Sequence, residues 1–371
     1  MKKKIITVSY LLLLFVVSFS AAYFIGIYNN VHVSSKTFEI KSSLNLNPTP
    51  TPDPLGPKNI LLLGYGGLEH DGNLLTDTVI VAHIVPKESR VTLISIPRDL
   101  WVPLPVKLSV EKYFKINHAY AIGVDSRNYP DKDDYYKGEA GGGNMAKYAI
   151  SYATGLEINN FISIDFSGFK NSIDYLGGID INIPYSFEDP YYPVKGLENE
   201  TCGKSDEEIK SLSATMSGEL LEKEFPCRYE TLKFAKGRTH LDGETTLKFV
   251  RSRHSEVGGS DFGRALRQQA FIIALKDKIL SYKSLPKIIP LFTKLSKYTL
   301  TDIDLLTVFD LMGDVGFENI EIKTISLNTD NVLKEDISPD HQYILLPKEG
   351  NGDWSKVHGY IKTDLEADLN Q

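Results

Sequence analysis

Cysteine is scarce: Cys202 and Cys227 are the only two in 371 residues. No CxxC or other zinc spacing occurs. If the domain lies outside the cell membrane the two cysteines can close a loop as one disulfide; inside, they stay free thiols. A basic excess is also missing. The formal net charge is −7, which argues against a general nucleic-acid binder. HExxH is absent, which excludes the common zinc-hydrolase helix, and so is GxSxG, which excludes a serine-hydrolase elbow. Gly64-Tyr65-Gly66-Gly67 is too short for a dinucleotide-binding fingerprint. No internal repeat is visible. What remains is a chain with 42% hydrophobic residues, enough for one large domain or two small ones.

Three lysines, Lys2 to Lys4, precede an uncharged run from Ile5 to Tyr28. The run is long enough for a bilayer, which needs about 20 apolar residues. The lysines would stay cytoplasmic, giving a single-pass protein of the cell membrane with its catalytic domain extracytoplasmic. A cleaved signal peptide, with Ser18 and Ser20 near the cleavage site, is the alternative. Residues 30–57 read as a linker, stiffened by the prolines of NPTPTPDPLGP (Asn47–Pro57). The partition is therefore 1–29 lysine cluster and transmembrane helix, 30–57 linker, 58–330 folded domain and 331–371 tail.

The folded domain alternates short strands and helices. Asn59–Leu63, Thr78–Val85 and Arg90–Ile96 read as strands, the last two joined as a hairpin by Pro86 to Ser89. Asn144–Thr154 reads as a helix, Phe161–Asp165 as a strand, Ser167–Leu176 as a helix and Ile179–Ile183 as a strand. Asp242–Val250 and a long segment ending near Tyr282 read as helices, with shorter ones around Lys287–Lys294 and Asp302–Met312, and Ile320–Ile325 is a last strand. Such alternation indicates an α/β domain with a mixed sheet. Residues 185–237 carry Tyr185, Tyr191, Tyr192 and both cysteines, and read as an insertion or long surface loop.

Phe249–Phe271 (FVRSRHSEVGGSDFGRALRQQAF) concentrates charge: Arg251, Arg253, Arg264 and Arg267. A glycine turn separates the pairs, and Ser260 or Asp261 is the natural cap of the following helix. Arg264, Arg267 and Gln268 are three and four apart and share one helical face. Guanidinium forks at the positive end of a helix suit a phosphate or pyrophosphate. The alternative is a solvated basic face paired with Glu256 and Asp261.

Five stretches together resemble the LytR-CpsA-Psr family: NILLLGYGG with TDTVIVAHI, VTLISIPRDLWVPLP, KINHAYAIG, INNFISIDFSGFKNSIDYLGGIDINIP, and GRTHLDGETTLKFVRSRHSEVGGSDFGRALRQQ. The resemblance implies a three-layer α/β/α sandwich with a central mixed sheet. It implies a magnesium-dependent phosphotransferase moving a glycopolymer from a polyprenyl-pyrophosphate carrier to an envelope acceptor such as peptidoglycan. A non-catalytic module for lipid-linked glycan and a polyprenyl-pyrophosphate hydrolase are the alternatives. It also implies that Asp77 of TDT holds the metal and that Asp77, Arg98 and Asp261 are catalytic. Arg98, Arg251, Arg253, Arg264, Arg267 and Gln268 would bind pyrophosphate, with Arg267 the least weighted. Two positions depart from the family: Gly66 stands where an aspartate is usual, and Leu75 where an arginine is usual. His70 and Asp71 are candidate substitutes. Asp99 reads as a turn residue, and His83, His118 and His254 as packed or solvated histidines.

Overall fold

The computed structural model describes residues 26, 28–34, 56–67, 74–108, 110–216, 219–259, 261–281, 290–291, 293–304, 307 and 320–366. Among the described residues no helix is long and apolar enough to cross a membrane, so the single-pass assignment is unsupported. The run that prompted it, Ile5–Tyr28, falls almost wholly outside the described residues, as do most of the linker and the helices expected around 287–294 and 302–312.

The strands are β1 (Lys58–Tyr65), β2 (Thr76–Val85), β3 (Arg90–Ser95), β4 (Trp101–Lys107), β5 (Val110–Lys115), β6 (Asn160–Asp165), β7 (Ile179–Ile183), β8 (Phe187–Pro193), β9 (Tyr229–Phe234), β10 (Gly237–Leu241), β11 (Thr299–Thr301), β12 (Glu321–Ser326), β13 (Leu333–Ile337) and β14 (Tyr343–Pro347). The helices are α1 (His118–Val124), α2 (Gly141–Thr154), α3 (Phe166–Tyr175), α4 (Asp206–Thr215), α5 (Glu219–Lys223), α6 (Gly243–Arg251), α7 (Asp261–Leu280) and α8 (Ser355–Glu366). They fall into two compact units, residues 1–168 with 286–371 and residues 169–285.

The first unit is built on a six-stranded mixed sheet of order β11-β6-β1-β2-β3-β12. β1 is apolar on both faces because it lies inside the sheet, flanked by β6 in parallel and β2 in antiparallel register. β2 and β3 are antiparallel and β3 and β12 parallel. β1, β3, β6 and β12 therefore point one way, and their carboxyl ends share an edge with the start of β2. Ligands of α/β sheets are commonly held at that edge.

Leu61, Val81, Ile94, Met145, Phe161, Val357 and Ile361 fill the core of this unit. The Gly141–Gly143 run serves that packing. It is buried and already helical, and a Cβ on Gly143 would overlap the Phe161 ring. The tail beyond residue 330 is part of the same core: β13 and β14 form a hairpin, and Trp354 is buried with α8.

The second unit pairs β7 with β10 and β8 with β9, each antiparallel. Residues 185–237, expected as an insertion or long loop, thus contain two strands as well as α4 and α5. Ile179, Ile181, Ile183, Phe187, Phe234 and Phe249 form its core. Cys202 and Cys227 are joined as a disulfide. The loop it closes carries α4, which a Ser205–Glu208 capping box starts and which buries no side chain.

Candidate functional site

The chemistry-bearing residues of the first unit sit at the strand-end edge. Asp77 is the second residue of β2, and Arg98 follows β3 after Pro97. Arg98 Nη1 donates to Asp77 Oδ1 at 2.6 Å, with the side chains 33% and 26% exposed. Burial alone would lower the Arg98 pKa, but the carboxylates of Asp77 and Asp99 outweigh it and raise the value. This guanidinium is charged at every working pH. Its Nε lies 3.6 Å from Asp99, too far for a hydrogen bond, and is buried without an acceptor among the described residues. Asp99 is held instead by Lys115 Nζ at 2.9 Å, which gives it the supporting role expected of a turn residue.

Asn117 explains why KINHAYAIG belongs with this edge, and reading the sequence alone missed it. Its N–H donates to the Arg98 carbonyl at 3.3 Å, and its own carbonyl accepts from the Thr76 N–H at 3.2 Å. One buried main-chain unit thereby ties the segment carrying Arg98 to the segment carrying Asp77. Ile116 N–H donates to Leu100 O at 2.7 Å and extends the tie. His118 Nδ1 shares a 2.8 Å hydrogen bond with Asn117 Oδ1, and burial lowers its pKa, so it is a packed histidine. His83 likewise pairs with Asn59 Oδ1 at 2.7 Å.

A second acid at this edge, Asp165, ends β6 opposite Tyr65. Its Oδ1 accepts from Gly168 N–H at 2.7 Å, the bond of a helix cap. Of the two positions that depart from the family, Gly66 is buried and Leu75 half-buried. The proposed substitutes His70 and Asp71 lie outside the described residues.

In the second unit the arginines divide by environment. Arg251 ends α6, and Arg253 follows it on the connecting loop; both are half-buried. Arg264, Arg267 and Gln268 are buried on α7. Asp261 opens that helix, but its side chain, like Ser260, lies outside the described residues. Arg267 is 0% exposed. It donates to Ser252 O at 2.5 Å, to Gly258 O at 2.7 Å and to Tyr185 Oη at 3.0 Å, and its guanidinium stacks 4.7 Å from the Phe187 ring centre. Burial lowers its pKa, against the pull of Tyr185. These bonds cross-link both ends of the Ser252–Gly258 loop, which is a framework task.

Asp189 completes that framework, and nothing in the sequence analysis singled it out. It lies on β8 and is 0% exposed. Oδ2 accepts from Ser252 Oγ at 2.7 Å, Arg253 N–H at 2.8 Å and His254 N–H at 3.2 Å, while Oδ1 accepts from Tyr191 N–H at 3.0 Å. Burial pushes its pKa up, but the hydrogen bonds from Ser252, Arg253, His254 and Tyr191 hold it below the usual carboxylate value. The signal was an acidic residue two after Phe187, on the inward face of a strand whose side chains alternate.

Among the described residues no group of three His, Cys, Asp or Glu side chains could cage a metal ion. Asp77 lies beside the Arg98 guanidinium.

TagV of Bacillus subtilis (strain 168), named a polyisoprenyl-teichoic acid–peptidoglycan teichoic acid transferase, is 26% identical over 297 residues, 80% of this chain. The chain spans 62% of that TagV sequence. TagU of Oceanobacillus iheyensis, of the same named activity, is 26% identical over 305 residues, 82% of this chain and 76% of TagU. The crystal structure of B. subtilis TagV superposes with a TM-score of 0.52 at 25% identity, covering 84% of this chain and 98% of that one. TagT bound to LI-WTA shares the fold, with a TM-score of 0.52 at 19% identity over 92% of this chain and all of the other. Residues 26–348 match the model of the LytR_cpsA_psr family, and the chain belongs to that family.

Proposed function

We propose that this protein is a phosphotransferase that moves a glycopolymer from a polyprenyl-pyrophosphate carrier onto peptidoglycan or a related envelope glycan. An acceptor hydroxyl attacks the glycan-side phosphorus, and the bond from that phosphorus to the bridging oxygen breaks. The products are a glycan phosphodiester and polyprenyl phosphate, and the hydroxyl proton leaves with the latter. Negative charge spreads over the phosphoryl oxygens as this proceeds, and fixed cations lower that barrier. Arg98 is the described residue best suited to this: a partly exposed, permanently charged fork, pre-oriented by Asp77 at 2.6 Å. That pair is the observation that carries the reading, and the named activity of the TagV and TagU relatives supports it. Arg251, Arg253, Arg264 and Gln268 are proposed phosphate ligands in the second unit, with Arg267 as their support. Asp261 is a proposed participant on resemblance alone.

Magnesium is the proposed cofactor, and the donor set fits it. Mg²⁺ is usually held by one or two carboxylates, with substrate phosphate and water completing the shell. Asp77, whose Oδ1 also accepts from Arg98, is the carboxylate that the family resemblance offers, and Asp165, whose Oδ1 caps α3, is a second acid at the same edge. Bound there, the ion would neutralise charge on phosphate oxygens. The test is incubation of the full-length chain with a lipid-pyrophosphate-linked oligosaccharide, MgCl₂ and a peptidoglycan fragment, with products read by mass spectrometry. A phosphodiester conjugate that disappears in Arg98→Ala is the expected result. Free glycan phosphate without conjugate would instead mark a hydrolase, and unchanged substrate bound to the protein a glycan-binding module.

A further inference from the structure

We propose that Asp189 is a positioning residue for phosphate binding, acting through the main chain of the loop that bears Arg253. The inference rests on the phosphotransferase reading and extends it to a residue that neither sequence motif nor family resemblance points to.

A carboxylate without solvent contact is expensive unless its lone pairs are filled. Asp189 fills them almost entirely from one place. Three of its four described donors belong to consecutive residues, Ser252, Arg253 and His254. The fourth, Tyr191 N–H, belongs to its own strand, at an irregularity in the β8–β9 register. The acid therefore joins a fixed point in the sheet to the exit of α6.

Geometry makes this a device for aiming side chains. The α6 helix ends at Arg251, and Ser252 has φ −50° and ψ 138°, outside the helical region. The Ser252 hydroxyl and the Arg253 N–H bind the same Asp189 oxygen, which fixes the main chain from which the Arg253 side chain departs. Arg267 holds the same loop from its carbonyls, at Ser252 and Gly258. An anion under the amides and a cation under the carbonyls leave the 252–258 segment little conformational freedom. Preformed ligands bind phosphate without an ordering penalty at the moment of binding.

The test uses the full-length chain and geranylgeranyl pyrophosphate as the probe, with binding measured by calorimetry in wild type, Arg253→Ala and Arg98→Ala, each with and without Asp189→Asn. Asparagine keeps the volume and one acceptor oxygen but removes the charge. Asp189→Asn is expected to weaken binding about tenfold, the scale of a lost charge-assisted hydrogen bond. In the Arg253→Ala background the same change should do almost nothing further, because residues acting as one unit are non-additive. In an Arg98→Ala background it should retain its full effect. A merely structural role would give equal losses in all three backgrounds, and that result overturns the proposal. So does unchanged affinity in Asp189→Asn beside a clear loss in Arg253→Ala. Failure of the wild type to bind the probe would overturn the phosphotransferase reading itself, and the positioning role with it. Should Asp189→Asn not fold, Ser252→Ala removes one of the same bonds. It is expected to weaken binding about threefold with the same dependence on Arg253, and full additivity there would sink the idea.

Discussion

Asp77 grips the side chain of Arg98 at 2.6 Å while about a quarter of its own surface stays open to solvent. Asp189 is sealed from solvent and touches Arg253 through the main-chain N–H. The two acids share a chemical type and differ in what they immobilise. The first orients a guanidinium that can exchange its partner for a phosphate. The second orients the backbone and leaves the guanidinium to other contacts. Position on a sheet decides which job an acid takes: Asp77 stands at a strand-end edge, Asp189 on the inward face of a strand.

That contrast can be broken experimentally, most sharply at Arg98. Arg98→Ala is expected to lower transfer by about 10²–10³-fold, the cost of losing one fixed cation at a developing negative charge. Its melting temperature should stay within a few degrees of wild type, because a partly exposed pair contributes little to stability. Near-normal product formation in the mass-spectrometric assay would remove Arg98 from the mechanism.

Arg267 should behave oppositely. Arg267→Met keeps most of the volume over Phe187 but leaves the carbonyls of Ser252 and Gly258 without their donor. Urea denaturation should show a loss of about 3 kcal/mol. A loss under about 1 kcal/mol, within the range of an exposed pair, would mean that the loop does not depend on this clamp.

The Cys202–Cys227 link extends the comparison to a third type of restraint. Replacing both with serine should cost about 2–3 kcal/mol of stability through the unfolded chain. Transfer rates should be unchanged, since α4 and its surroundings carry none of the proposed ligands. A tenfold fall in rate would show that the disulfide-closed arm takes part in the reaction.

The smallest effect concerns acid. The Asp189 pKa is lowered in the fold, so its stabilisation is present above its unfolded value, near 3.9, and is lost as pH falls through the folded value. Asp189→Asn should therefore flatten the stability profile below about pH 4. An unchanged slope would mean that the carboxylate is not charged in the native state.

The sheet was largely legible from sequence because its strands carry continuous apolar runs bounded by glycine or proline. β1, β2, β3 and β6 of the six-stranded sheet fall where NILLL, TVIVAHIV, RVTLISI and FISID predict them, and β7 of the second unit falls at IDINI. The β4–β5 hairpin was not legible. Pro103 and Pro105 argue against a strand, yet β4 accommodates both because it pairs only with β5 in a two-stranded ribbon. β8 was hidden in the same way by Pro190 and Pro193, and with it Asp189. Arg98 and Asp77 could be found because their motifs sit at strand ends. Asn117 could not, because it acts through main-chain atoms that any residue possesses. Arg267 carries the same residue type and helical spacing as Arg264; only three-dimensional packing separates a clamp from a ligand.

One short segment upstream of the sheet has a practical consequence. His32 forms a parallel bridge to Thr301, Val33 N–H donates to the Thr301 carbonyl at 2.8 Å, and the Val33 side chain is part of the core. β11 is the outermost strand on that side, and a bare outer strand is a template for pairing with another molecule. Residues 32 and 33 therefore act as a selvedge that stops the weave from continuing. A shortened protein starting at Lys58 would keep every proposed ligand and lose that border. Such a protein is expected to self-associate during gel filtration, where a chain starting at Tyr28 elutes as a single species.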